Sequence, residues 1–192
     1  MKVVTAEQMR QIDRQCAELG LPSNVLMENA GRAVAEEVQR ILGDVGKRHI
    51  LVLAGPGNNG GDGLVAAWYL HHWGAIVTIY LGGQRPPDDP HLERVKERNL
   101  TIVEASRDEN LNKLDELLTS VNAVIDAIFG TGQSRPLQGV PKRALETVAR
   151  TKERRPDLKI VALGTGEPEF EELFRQFARR FPRKFAVQVS YD

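Results

Sequence analysis

The chain has little of several things that assign a protein to a class at once. Among its 192 residues there is one cysteine, Cys16, so no internal disulfide can form and a reducing, cytoplasmic setting is expected. Neither charge predominates: 26 Lys and Arg stand against 26 Asp and Glu. That balance removes the electrostatic ground for nucleic acid or a membrane surface as a partner. No apolar run approaches the ~20 residues of a membrane span. The opening Met-Lys-Val-Val-Thr-Ala-Glu-Gln lacks the apolar stretch of a secretory signal and reads as helix-forming. Internal repeats and low-complexity tracts are missing too. These absences leave a soluble chain, 1–192, whose length suits one domain with a substantial core.

What is present is a regular alternation. Six short apolar runs, rich in Val and Ile, read as strands: Ile50–Ala54, Ile76–Leu81, Thr101–Val103, Ala123–Ile128, Lys159–Leu163 and Phe185–Val189. They scarcely alternate with polar residues, as expected of strands buried on both faces of a parallel sheet. Helix-length segments at 62–73, 88–98, 108–119, 138–151 and 168–180 separate most of them. The pattern predicts a doubly wound, mainly parallel sheet of about six strands with helices on both faces, a Rossmann-like α/β fold. Two extra helices precede the first strand. One covers about Ala6–Leu19, with Met9, Ile12, Cys16 and Leu19 on one face. The other follows Pro22-Ser23 and runs to about Leu42, where Gly43 is a natural stop. Gln84–Pro90 is a rigid loop, and Asp88 and Asp89 between prolines mark a helix start.

The first candidate site is Gly55-Pro-Gly57-Asn-Asn-Gly60, a G-x-G-x-x-G match that leaves a strand and opens a helix. Glycines let a phosphate come close to the backbone, and helix N-terminal N–H groups stabilise the anion. A plain turn is the alternative, but five glycines in the nine residues Gly55–Gly63, with Asn58, Asn59 and Asp62, exceed what a plain turn needs. The reading is a nucleotide or other phosphate ligand. The second strand ends in Tyr80-Leu-Gly-Gly-Gln-Arg85, without the carboxylate that would hold a ribose 2′-hydroxyl. An ordinary NAD dehydrogenase is therefore disfavoured.

The second candidate site is Ala123-Val-Ile-Asp126-Ala-Ile-Phe-Gly130-Thr-Gly132, a carboxylate inside an apolar strand with a glycine turn at its end. A buried Asp126 requires a cation or several donors beside it. If its strand neighbours the first across the switch point, Asp126 and Asn58–Asp62 share the crevice where open α/β sheets bind ligands. Asn oxygens and a carboxylate suit a hard cation. The alternative is that Asp126 caps a backbone turn. Arg135 is placed to contact phosphate or to stand solvated in its loop. For His71 and His72 the helix C-terminal dipole is a better account than a metal, and packing accounts for Trp68 and Trp73.

Four motifs in order carry a family resemblance: Thr5–Asp13, Leu26-Met-Glu-Asn-Ala-Gly31, Asn58-Asn-Gly-Gly-Asp-Gly63 and Asp126-Ala-Ile-Phe-Gly-Thr-Gly132. Over 1–163 the chain resembles the YjeF N-terminal domain of the NAD(P)H-hydrate epimerases. The resemblance implies a Rossmann-fold homodimer that epimerises the C6 hydroxyl of hydrated NADH or NADPH, which are substrates rather than cofactors. It further implies that Asn58, Asn59, Gly60, Gly61 and Asp62, with Gly130, Thr131, Gly132 and Arg135, bind phosphate and ribose. Asn59 and Asp126 would hold a potassium ion. The family's next strand ends in an Asp-x-Pro-Ser-Gly loop whose Asp acts on the substrate and whose Ser is a potassium ligand. Here Gly164 stands at the Asp position and Glu167 at the Ser position, so the family's acid–base residue is missing.

From about Leu158 to Asp192 the sequence resembles instead the C-terminal Rossmann domain of bacterial glycogen or starch synthases. Its Gly-Thr-Gly turn leads into a helix opened by Pro168, with Phe170, Leu173, Phe174 and Phe177 on its core face. An epimerase-like part, 1–163, joined to a synthase-like completion, 164–192, reads as an engineered or recombined chimera. It keeps a phosphate and potassium half-site but has no catalytic residue at 164. Two alternatives stand beside it: an active epimerase using Glu167 or Asp62 as its acid, and a non-catalytic binding or scaffold domain.

Overall fold

A computed structural model of the chain describes residues 22–130 and 138–163. The expected helix Ala6–Leu19, helix 168–180 and strand Phe185–Val189 lie outside the described residues, as do Thr131, Gly132, Arg135, Gly164 and Glu167.

Helix α1 (Ser23–Leu42) turns Ala30, Gly31, Val34, Ala35 and Val38 inward. It stops at Gly43, whose φ of 76° suits glycine and whose N–H closes on the Gln39 carbonyl. Strand β1 (His49–Ala54) follows and is buried from Ile50 onward. Helix α2 covers Asn58–His72 and β2 covers Ile76–Leu81. Helix α3 (Pro90–Glu97) starts where its sequence signals: the Asp89 carboxylate accepts from the His91 and Leu92 N–H groups, and Pro90 takes the first turn. Strand β3 (Thr101–Glu104) and a short 3₁₀ turn lead to α4 (Asn112–Leu118). Strand β4 (Ala123–Ala127) is buried throughout. Helix α5 (Gly139–Arg154) and β5 (Lys159–Ala162) complete the described part.

The five strands are parallel and lie in the order β3-β2-β1-β4-β5. The chain thus winds outward on one side of β1, then crosses to the other. The residues of α1, α2 and α3 pack with Ile50, Val52, Ile79, Ile125 and Val161 on one face. Those of α4 and α5 pack with Leu51, Leu53, Val124 and Ile160 on the other. Successive side chains point to opposite faces of a strand, which is why these runs carry no polar alternation.

Several boundaries differ from the sequence expectation. Helix α2 begins at Asn58, not 62, so Asn58–Gly61 form its first turn rather than a loop before it. Gly57 is the extended residue that precedes it, and the Gly61 N–H reaches the Gly57 carbonyl at 3.2 Å. Glycine costs about 1 kcal/mol in a helix interior, but close packing overrides that here. A Cβ at Gly63 would come within 2.6 Å of the Ala127 Cβ, so glycine is what lets α2 lie against β4. Helix α4 begins at Asn112 rather than 108 because Asp108 caps it from outside, accepting from Lys113 N–H and Leu114 N–H, each at 3.0 Å.

Candidate active site

The switch point of this sheet falls between β1 and β4, whose order reverses the winding. Their pairing places Leu53 beside Asp126 and Ala54 beside Ala127. The ladder continues past β1, with Gly55 N–H donating to the Ala127 carbonyl at 3.0 Å. The glycine turn and the end of β4 are therefore direct neighbours, at the carboxyl ends of the strands where such sheets form a crevice.

Of the residues singled out in the turn, Asn58 is exposed, Asn59 and Asp62 are half-buried, and Gly60 and Gly61 are buried. Asn59 links the elements. Its Nδ2 donates to the Phe129 carbonyl at 2.9 Å and to the Leu163 carbonyl at 3.1 Å, so one side chain from α2 joins the ends of β4 and β5. Two carbonyl acceptors determine which way the amide is turned and leave Oδ1 as an acceptor on the Gly130 side. Gly130 packs on this side chain: a Cβ there would lie 3.1 Å from the Asn59 Cβ and 3.3 Å from Oδ1. Asn59→Asp removes both donated bonds and sets a carboxylate against two carbonyl oxygens. Urea unfolding at pH 7 is expected to show a loss of about 2 kcal/mol, reduced at pH 4 where the acid is protonated and can donate again.

Asp126 is 9% exposed. The pleat sets it with Val124 and Ile128, which pack among α4 and α5, whereas Ala127 packs among α1 and α2. Asn59 and Asp126 thus come to the strand ends from opposite faces of the sheet. One donor meets the carboxylate among the described residues: Ile128 N–H reaches Oδ1 at 3.1 Å, the local turn that such a residue forms. Burial pushes the carboxyl up to about 6, against the opposing effect of that N–H. The turn-capping reading of Asp126 is thus seen directly in the bond from Ile128 N–H. Among the described residues no group of three His, Cys, Asp or Glu side chains is arranged to hold a metal. The Asn59 amide oxygen and the Asp126 carboxylate are hard oxygen donors, the kind a monovalent ion takes.

The histidines and tryptophans of α2 lie at its far end. His72 stacks on Trp68, with centroids 5.2 Å apart and planes 4° from parallel, and the Arg94 guanidinium covers Trp68 at 3.7 Å. Glu28 accepts from Tyr69 Oη and Arg94, joining α1, α2 and α3. Burial raises the Glu28 carboxyl, but these two hydrogen bonds outweigh it and hold the group below its ordinary value. Trp68 and Trp73 pack against the core.

One residue beside the turn escaped the sequence reading. Arg85 donates from Nη1 to the Gly55 carbonyl at 2.5 Å and to the Gly57 carbonyl at 2.9 Å. Its Nε meets Asp89 at 2.5 Å. The signal in sequence was only an arginine in a proline-rich loop, and no periodicity relates it to Gly55.

Comparison with known proteins shows the family to which this fold belongs. Residues 23–163 match the family described as YjeF-related protein N-terminus. The bifunctional NAD(P)H-hydrate repair enzyme Nnr of Thermofilum pendens is 39% identical over 155 residues, covering 77% of this chain and 29% of that protein. The NAD(P)H-hydrate epimerase of Limosilactobacillus reuteri is 34% identical over 165 residues, covering 84% of this chain and 72% of that protein. The chain thus spans less than a third of the bifunctional relative. Among solved structures, yeast ynu0 (YNL200c) superposes with a TM-score of 0.72 at 26% identity, over 84% of this chain and 69% of that one. The dipicolinate synthase A chain of Bacillus subtilis, at 16% identity and a TM-score of 0.51, shares the fold. Among the described residues no helix is long and apolar enough to cross a membrane. The chain belongs to the YjeF-related N-terminal domain family, the family of the NAD(P)H-hydrate epimerases.

Proposed function

We propose that the chain binds the phosphate-bearing part of hydrated NADH or NADPH on an epimerase scaffold and does not turn it over. The observation that carries this reading is the Asn59 clamp, which holds the ends of β4 and β5 against the first turn of α2 up to Leu163. The wall is built to that residue, and Gly164 follows it. In this reading the N–H groups of Asn58, Asn59 and Gly60, which a helix start leaves without intrahelical partners, receive the anion. Asn59 Oδ1 and the Asp126 carboxylate would hold a potassium ion, which supplies positive charge beside the buried carboxylate and the ligand phosphates. Glycine at 164 has no group to take or give a proton.

The finer reading of origin, also proposed, is a joint between an epimerase-like part and the synthase-like segment from Gly164. It is supported by the end of the family match at Leu163. Identity of 34–39% to repair enzymes and epimerases favours one second reading, an active epimerase with Glu167 or Asp62 as acid. One measurement tests the binding that both readings share, and a second separates them. Adding ADP-ribose to ¹⁵N-labelled protein is expected to move amide signals within Gly57–Gly63, and movement confined elsewhere removes the binding claim. Epimerisation of hydrated NADH is expected to be absent in this chain and to be gained on Gly164→Asp with Glu167→Ser. Turnover by the unchanged chain makes the second reading the right one.

A further inference from the structure

Beneath the glycine turn lies an ion pair that the turn motif does not include. The Arg85 and Asp89 side chains are each 5% exposed, with Nε and Oδ2 2.5 Å apart. Asp89 also accepts from the His91 and Leu92 N–H groups at 2.9 and 3.2 Å, so the carboxylate that holds the guanidinium is itself anchored to the start of α3. Burial raises the Asp89 carboxyl, but Arg85 and these N–H groups outweigh it and keep the group ionised below its ordinary value. From that anchor Nη1 bonds the Gly55 and Gly57 carbonyls. A Cβ at Gly60 would lie 2.6 Å from Nη1, which places the cation directly under the first turn of α2.

A trans peptide points its carbonyl and the following N–H in opposite directions, and the described residues contain no cis bond. The Gly57 carbonyl is held twice, by the Gly61 N–H that opens the helix ladder and by Arg85, and the Asn58 N–H across the same peptide points the other way, out of the helix start. A planar guanidinium can serve two carbonyls and a carboxylate together, which an ammonium cannot do in the same geometry.

We propose that Arg85, anchored by Asp89, is a positioning residue for phosphate recognition: together with the Gly61 N–H it fixes the peptide between Gly57 and Asn58 in the orientation that an anion needs. The inference rests on the phosphate reading above. Arg85→Lys retains the charge but not the fork. ADP-ribose affinity, measured by calorimetry well below the melting temperature of both proteins, is expected to fall about tenfold. A residue with a merely structural role would lower the melting temperature and leave the Kd of the folded protein unchanged, and that result overturns the proposal. Should R85K not fold, the unchanged protein carries the test. The Arg85 Nε–H signal in its ¹⁵N spectrum is expected to shift at saturating ADP-ribose, and a signal that stays in place overturns the proposal. If the unchanged protein binds neither ADP-ribose nor inorganic pyrophosphate, the phosphate reading falls and this inference with it. Binding by the unchanged protein with equal binding by R85K removes the inference alone.

Discussion

Replacing Gly55 by alanine is expected to cost roughly 3 kcal/mol or more, a large part of the 5–15 kcal/mol that holds a domain of this kind together. A Cβ at that position would lie 1.8 Å from the Ile128 carbonyl oxygen and 2.7 Å from its carbon. Both are backbone atoms, so no rotamer change relieves the clash. Relief requires moving the end of β4 from β1, which breaks the bond from Gly55 N–H to the Ala127 carbonyl. Gly57→Ala is the control. Its φ is −93° and no heavy atom lies within 4 Å of the added methyl, so the change in stability is expected to stay within ~0.5 kcal/mol. Urea denaturation of the two variants checks the difference. Equal midpoints would mean that the β1–β4 contact is not as close as described.

Asp126→Asn is expected to stabilise the protein at neutral pH when no monovalent metal ion is present. The carboxyl of Asp126 titrates at about 6 in the folded chain against 3.8 when unfolded. The folded state therefore binds the proton more tightly, and this group's contribution is favourable below pH 4. It is lost as the pH rises from about 4 through 6. The gap amounts to about 3 kcal/mol at pH 7. Asparagine carries no charge to bury and keeps an oxygen for the Ile128 N–H. Stability curves in a choline buffer are expected to show the variant ahead at pH 7.5 by up to about that amount, with the two proteins converging near pH 4. Potassium is expected to narrow the gap at pH 7.5 by stabilising the wild type. A difference that does not vary with pH would show that Asp126 is not the desolvated group described.

Much of the architecture was legible in the chain because its physical causes are local. Strands buried on both faces must be apolar, as Ile50–Ala54 is throughout and Ala123–Ala127 is at every position but Asp126. Asp89 before Pro90 and Gly43 after Leu42 act within one turn of their own helices, so both ends were readable. The start of α2 was not, because glycines in sequence predict a loop. They form helix here since Gly63 must let α2 lie on Ala127. The composition of the crevice was likewise readable, but not its wiring. Asn59 reaches a carbonyl 104 residues away, and no pattern of neighbours encodes that distance.

The glycine turn after the first strand and the aspartate inside a later apolar strand of a parallel sheet were determined by the sequence alone, through turn geometry, apolar run length and helix-end chemistry. Tertiary structure decided the rest. It set β4 beside β1, gave Asn59 two carbonyls to hold, presented Asp126 from the opposite face with the Ile128 N–H on its carboxylate, and put Arg85 under the turn. Each of these depends on which segments meet in space. That is decided when the two faces of the sheet are covered, and only then are the polar groups at its end brought within hydrogen-bonding distance.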